Sequence, residues 1–162
     1  MKNANKLIWW ILTALTMIII FTFSCETAVD SSDTSERFMK VILDFLPFTK
    51  GMSETSKLEF IESMDFVIRK CAHFTLYALL GFVTFGAVKS TFVSGINKNV
   101  KYSFLICVIY AITDEIHQYF VPGRACRLYD ITIDSVGSIF GISIFLLLIN
   151  LSTKYLNKKA KL

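Results

Sequence analysis

The chain has 162 residues, 54% of them hydrophobic, with a mean hydropathy of +0.55; that leaves room for one domain, residues 1–162, and excludes an ordinary soluble protein. Its net charge of +4 is divided between separate stretches instead of being gathered into one basic patch, which excludes nucleic acid as a partner. Four runs approach the roughly 20 apolar residues that a bilayer core of about 30 Å requires, at about 7 to 23, 71 to 93, 102 to 120 and 130 to 150.

The first run follows Lys2 and Lys6 as in a signal peptide, but its 17 apolar residues exceed the usual h-region of about 7 to 15, so it reads as an uncleaved anchor. Cys25 after Phe23-Ser24 raises lipidation as an alternative, in a poor context because of the bulky Phe23. The segment 24 to 68 is acidic and patterned. Asp33 to Glu36 reads as a capping box opening an amphipathic helix, with Phe38, Val41, Ile42, Phe45 and Leu46 on one face and Pro47 ending it. A second start at Ser56 to Glu59 leads into the next span. One or two such helices are expected on the outer surface, on the leaflet or over the mouth of the bundle.

The second span opens with Arg69, Lys70, His73 and Tyr77, and the spacing of four puts Arg69, His73 and Tyr77 along one helical face. In the third, Asp114, His117 and Gln118 share a face while Glu115 points about 100° away. Val121-Pro122-Gly123-Arg124 is a turn that no helix carries through, since proline lacks the donor. Asp130 and Asp134 open the last span, where Gly137 and Gly141 form a GxxxG step that admits a neighbouring backbone. Ionisable groups inside a span are costly and face a protein interior or a wet cavity. His73, Asp114, His117 and Asp134 are therefore expected to form one polar layer in the outer half of the membrane.

Lysines Lys2, Lys6, Lys89, Lys98, Lys101, Lys154, Lys158, Lys159 and Lys161 all fall on one side if the termini and the 89 to 101 loop are cytoplasmic, as the positive-inside bias requires. The arginines Arg37, Arg69, Arg124 and Arg127 fall on the other. Arginine offers a rigid fork suited to carboxylate or phosphate, and either such a partner or chance in a lysine-rich chain accounts for the split. Cys25, Cys71 and Cys126 lie near the outer surface, where a disulfide is permitted, and free thiols are the simpler reading. GxGxxG, P-loop, HExxH and GxSxG motifs are absent.

Three stretches, RKCAHFTLYALLG at 69 to 81, DEIHQYFVPGR at 114 to 124 and DITIDSVGSIFG at 130 to 141, with the serine-containing stretch after the first span, resemble VanZ-like membrane proteins. Ser24-Cys25-Glu26 stands where that family commonly has Ser-Ser-Gln, and Ser135 where it often shows Asn. The resemblance implies a small polytopic membrane protein of a family named for a member linked to teicoplanin resistance.

The expected fold is all-α: a bundle of four transmembrane helices with both termini cytoplasmic. His73 and His117 are the candidate acid and base, with Asp114 and Asp134 orienting them. Arg69, Lys70, Arg124 and Arg127 would hold an anionic group, in a pocket completed by Tyr77, Glu115, Gln118 and Asp130. The expected partner is a membrane lipid or lipid-linked envelope precursor, with a glycopeptide antibiotic as a further candidate. No cofactor is named and no residue is assigned to a metal; a metal site is one alternative reading, because two imidazoles with carboxylates are a common ligand set, although the i, i+3 pair of Asp114 and His117 is weak alone. Transfer or hydrolysis at a phosphate or acyl bond is one use of the site, with Ser24, Ser35 and Cys71 as candidate nucleophiles. A non-catalytic lipid or antibiotic binder, and a polar network that only locks the bundle, are the others.

Overall fold

Helix boundaries follow from the side chains that answer unpaired backbone groups at the ends. In a computed structural model, which describes residues 2–45, 51–92 and 95–159, those residues form five α-helices and no strand. The first, α1, is Lys2–Ser24. Helix α2, Ala28–Phe45, starts earlier than the Asp33 to Glu36 box, because Thr27 caps it: the Thr27 hydroxyl accepts from the Asp30 backbone N–H at 3.2 Å and donates to the Asp30 carboxylate at 2.7 Å. Pro47, expected to end this helix, lies outside the described residues, as does Leu46.

The separate start at Ser56 and the span at 71 prove to be one helix, α3, Glu54–Thr91. Ser53 is its N-cap and accepts from the Ser56 N–H at 3.1 Å. No proline interrupts the following 38 residues, so the helix runs on for ~57 Å, well beyond a bilayer core. Helix α2 folds back along the first part of α3, with Ser32 bonded to Asp65 and Asp44 to Lys57, and buries Ser31, Ser35 and Leu43. Phe38, Val41 and Phe45 remain exposed.

Helix α4, Ile96–Gln118, stops two residues before the expected end, and α5 spans Leu128–Lys159. Gly123 adopts φ +76° in the turn between them, where a side chain would be strained and a Cβ would stand 2.9 Å from that of Ala28. Helices α3 and α5 make the most extensive contact. Their close approach depends on Gly137 and Gly141, whose positions press against the Phe74 and Ala78 carbonyls, which makes the GxxxG step a parallel helix seam.

Ile20, Tyr77, Leu80, Cys107 and Ala111 form the core where α1, α3 and α4 meet. Towards the opposite end, Trp9, Phe82, Phe85 and Phe145 interlock with ring centroids 4.8 to 6.2 Å apart. Three helices, α1, α3 and α5, contain stretches long and apolar enough to cross a membrane; α4, with Lys98, Lys101, Asp114 and Glu115, is not among them. The protein wears its apolar residues outside, including Ile11, Ile18, Leu105, Ile109, Phe140 and Leu147, and buries Thr84, Asn99, Ser103, Gln118 and Ser138.

Candidate functional site

Four helix segments converge at one end of the bundle: the last turn of α1, the middle of α3, the last turns of α4 and the first turns of α5. Asp114 is buried there, and its Oδ2 accepts from the Ser24 hydroxyl at 2.9 Å and the Gln118 amide at 3.1 Å; the same amide lies 3.2 Å from the Ser24 oxygen. Ser24 is thus a buried structural donor to Asp114. Of the other candidate nucleophiles, Ser35 donates to the Ser31 carbonyl, while Cys71 is exposed and lines a groove described below.

Glu115 faces inward, contrary to the expectation from a single helical face. It is buried, and its Oε2 accepts from the Arg127 backbone N–H at 2.8 Å. The reason is packing: α4 contacts α1, α3 and α5, so directions well apart on its circumference are both interior. His117 turns towards α1, where Nε2 lies 3.4 Å from the Cys25 thiol and the ring lies against Phe21 at 4.6 Å. His73, Asp114 and Asp134 come together without it, and their donor atoms all lie within 4.8 Å of one another. His73 Nδ1 is 3.8 Å from Asp134 Oδ1. One turn further along α3, the Tyr77 hydroxyl is buried and makes no close hydrogen bond among the described residues.

The cations are partly committed. Lys70 pairs with Asp130 across the α3–α5 seam, and Arg69 with Asp65 at 3.0 Å. Arg124 donates to the carbonyls of Glu26 at 3.1 Å and Phe23 at 3.3 Å, closing the C-terminal end of α1. Burial first, and the Arg69 guanidinium second, lower its pKa from the usual arginine range, and it stays charged. The Arg127 side chain is exposed and enters no ion pair among the described residues.

Arg69, Lys70, His73, Glu115, Gln118, Arg124, Arg127, Asp130 and Asp134 line one polar cavity of about 100 Å³. A second, largely apolar groove of about 610 Å³ lies between α2 and α3, walled by Phe38, Met39, Met64, Val67 and Leu76. The two share Arg69, His73 and Arg124. The groove was not foreseen, because its walls lie on two helices whose pairing no local pattern announces. Cys25, Cys71, Cys107 and Cys126 are all free thiols.

No curated protein and no solved structure matches this chain. The model of the VanZ/LLP1 family matches residues 9–149, which takes in the four converging segments and every residue of both cavities. With the polar end and the apolar exterior in place, that match identifies the chain as a membrane protein belonging to the VanZ/LLP1 family.

Proposed function

We propose that this protein is a four-span membrane protein that binds an anionic, lipid-anchored cell-envelope molecule at its outer face. The head group sits in the polar cavity and the chain in the α2–α3 groove. The observation that carries the reading is the sharing of Arg69, His73 and Arg124 between a charged cavity and an apolar groove. A ligand filling both must be charged at one end and greasy at the other. A groove of about 610 Å³ is within the roughly 300–1,000 Å³ range of small-molecule pockets. Arg127, exposed and without an ion pair among the described residues, supplies the uncommitted charge. His73 is the imidazole that such a head group meets, and Asp134 stands behind it.

The membrane placement has its own support. Leu105, Ile109, Ile112 and Ile116 form an exposed stripe at helical spacing along α4, opposite the buried Asn99, Ser103, Cys107, Ala111, Asp114 and Gln118. That is the pattern of a helix with one face to lipid and a polar face to its neighbours, and it supports α4 as a fourth span although its average composition is too polar. Lys89, Lys98, Lys101, Lys154 and Lys158 gather at the end opposite the polar cavity, which supports a cytoplasmic placement of that end. The first ~22 Å of α3, before Arg69, and α2 then lie on the outer side.

Native mass spectrometry of protein released from mixed-lipid nanodiscs tests the binding. Phosphatidylglycerol should be retained in preference to phosphatidylcholine, and Arg127→Ala should weaken that retention about tenfold, as for loss of one charge-assisted hydrogen bond. Equal retention of the two lipids contradicts the reading. The resemblance to proteins named for teicoplanin resistance gives it a physiological form. Expression in a susceptible Gram-positive host should raise tolerance to teicoplanin more than to vancomycin, and unchanged susceptibility at verified expression removes that assignment.

A further inference from the structure

Two buried carboxylates stand close together with no cation committed to either. Asp114 and Asp134 are 3% and 1% exposed. Among the described residues, Asp114 Oδ1 and Asp134 Oδ2 make no close hydrogen bond, the Tyr77 hydroxyl being the group that stands beside Asp114. The cations around them are engaged elsewhere: Lys70 with Asp130, Arg69 with Asp65, and Arg124 with the carbonyls of Phe23 and Glu26. His73 is the basic group that faces them, and at 3.8 Å from Asp134 it is too far for a hydrogen bond. A buried carboxyl group is neutralised by a proton, by an ion pair or by a coordinated cation, and neither of these two has an ion pair short enough to serve.

We infer that His73, Asp114 and Asp134 bind a divalent transition-metal ion of the zinc or manganese class. Their donor atoms all lie within 4.8 Å of one another. Donors at the corners of a tetrahedron about 2.0–2.2 Å from an ion are ~3.4 Å apart, so side-chain rotations that draw the three groups together by about an ångström close the set. One imidazole nitrogen with two carboxylate oxygens favours zinc or manganese over calcium and magnesium, which prefer oxygen alone. Two carboxylates and a divalent ion also make a neutral group, which is what a buried site in a membrane bundle needs. The three ligands come from three helices, α3, α4 and α5, so an ion would also tie the bundle together at the polar end.

The surroundings are those of a metal site. Asp114 is oriented by Ser24 and Gln118 through its Oδ2, which leaves Oδ1 for the ion. The buried Tyr77 hydroxyl makes no close hydrogen bond among the described residues but stands beside Asp114, where it can donate to that carboxylate or to a metal-bound water. His73 and Asp134 line the polar cavity, so the remaining coordination positions face the place where an anionic head group would enter. The metal itself does not depend on the lipid reading, because it is assayed with no lipid probe.

Protein purified without a polyhistidine tag is stripped with a chelator, exposed to Zn²⁺ or Mn²⁺ and desalted, and its metal content is measured. The wild-type protein is expected to keep one of these ions stoichiometrically and to unfold at a higher temperature with it. His73→Gln and Asp134→Asn should lose both effects, while His117→Gln keeps them. X-ray absorption on the wild-type protein should show nitrogen and oxygen ligands with an imidazole contribution, a readout that needs no variant to fold. Wild-type metal content at the level of a buffer blank overturns the inference, as does sulfur ligation by the free cysteines or full retention in the His73 and Asp134 variants.

Discussion

At Asp114 a residue ninety positions away supplies part of the solvation that water would otherwise provide. Replacing Ser24 with Ala leaves a buried carboxylate with one donor fewer, and an unmet buried acceptor costs about 1–3 kcal/mol. Thermal unfolding of Ser24→Ala in detergent should show that loss, and an unchanged transition would mean that the Gln118 amide suffices. The Lys70–Asp130 pair gives a second test at this scale. Removing either partner strands the other at a part-buried position, whereas replacing both with apolar residues should recover much of the loss. A double-mutant cycle with Lys70→Met and Asp130→Leu should return a coupling of about 0.5–3 kcal/mol. The sequence made Arg69, Lys70, His73, Asp130 and Asp134 legible as a group, because polar residues inside apolar runs have few places to go. Helical-face arithmetic alone turned Glu115 about 100° from Asp114, yet both are interior, because that arithmetic assumes one buried face and α4 has several. His117 shows the converse: it shares a face with Asp114 by spacing, yet its side chain meets Phe21 on α1 and Cys25 just beyond its end.

Among the elements, the α3–α5 seam is where a single atom matters most. A Cβ at position 141 would stand 1.7 Å from the Ala78 carbonyl oxygen and 2.6 Å from its carbon, and neither is a side-chain end that can swing away. Gly141→Ala should therefore force the helices apart and destabilise the protein by about 1–3 kcal/mol or more. Gly51→Ala, with no atom of the described residues within 4 Å, is the matched control and should leave the melting temperature unchanged. The GxxxG pair could be read from the sequence as a close-approach site, but not its partner, since Phe74 and Ala78 carry no signature of their own. Helix starts were less legible. Asp33 to Glu36 satisfies the capping pattern, yet Thr27 with Asp30 satisfies it one and a half turns sooner, and a helix already begun cannot begin again. The length of α3 was hidden by polarity, since the residues from Glu54 to Asp65 look like a surface segment and continue unbroken into an apolar span.

For the whole molecule, the account requires that the polar cavity face outward and the lysine-rich end face the cytoplasm. In a background without the four native cysteines, a membrane-impermeant thiol reagent applied to intact cells should label cysteines placed at Met52 or at the exposed Ala125 and miss one at Asn97. Labelling at Asn97 would reverse the layout. The central claim is that the joined polar and apolar cavities receive one amphiphile, and photo-crosslinking in membranes tests it most directly. A phosphatidylglycerol with a diazirine in its acyl chain should mark groove residues such as Met39, Met64, Val67 and Cys71 on α2 and α3. Arg127→Ala should diminish that labelling and leave the signal on the lipid-facing sides of α1 and α5 unchanged. Crosslinks spread over the apolar exterior, with no enrichment in the groove and no response to Arg127→Ala, would contradict the account.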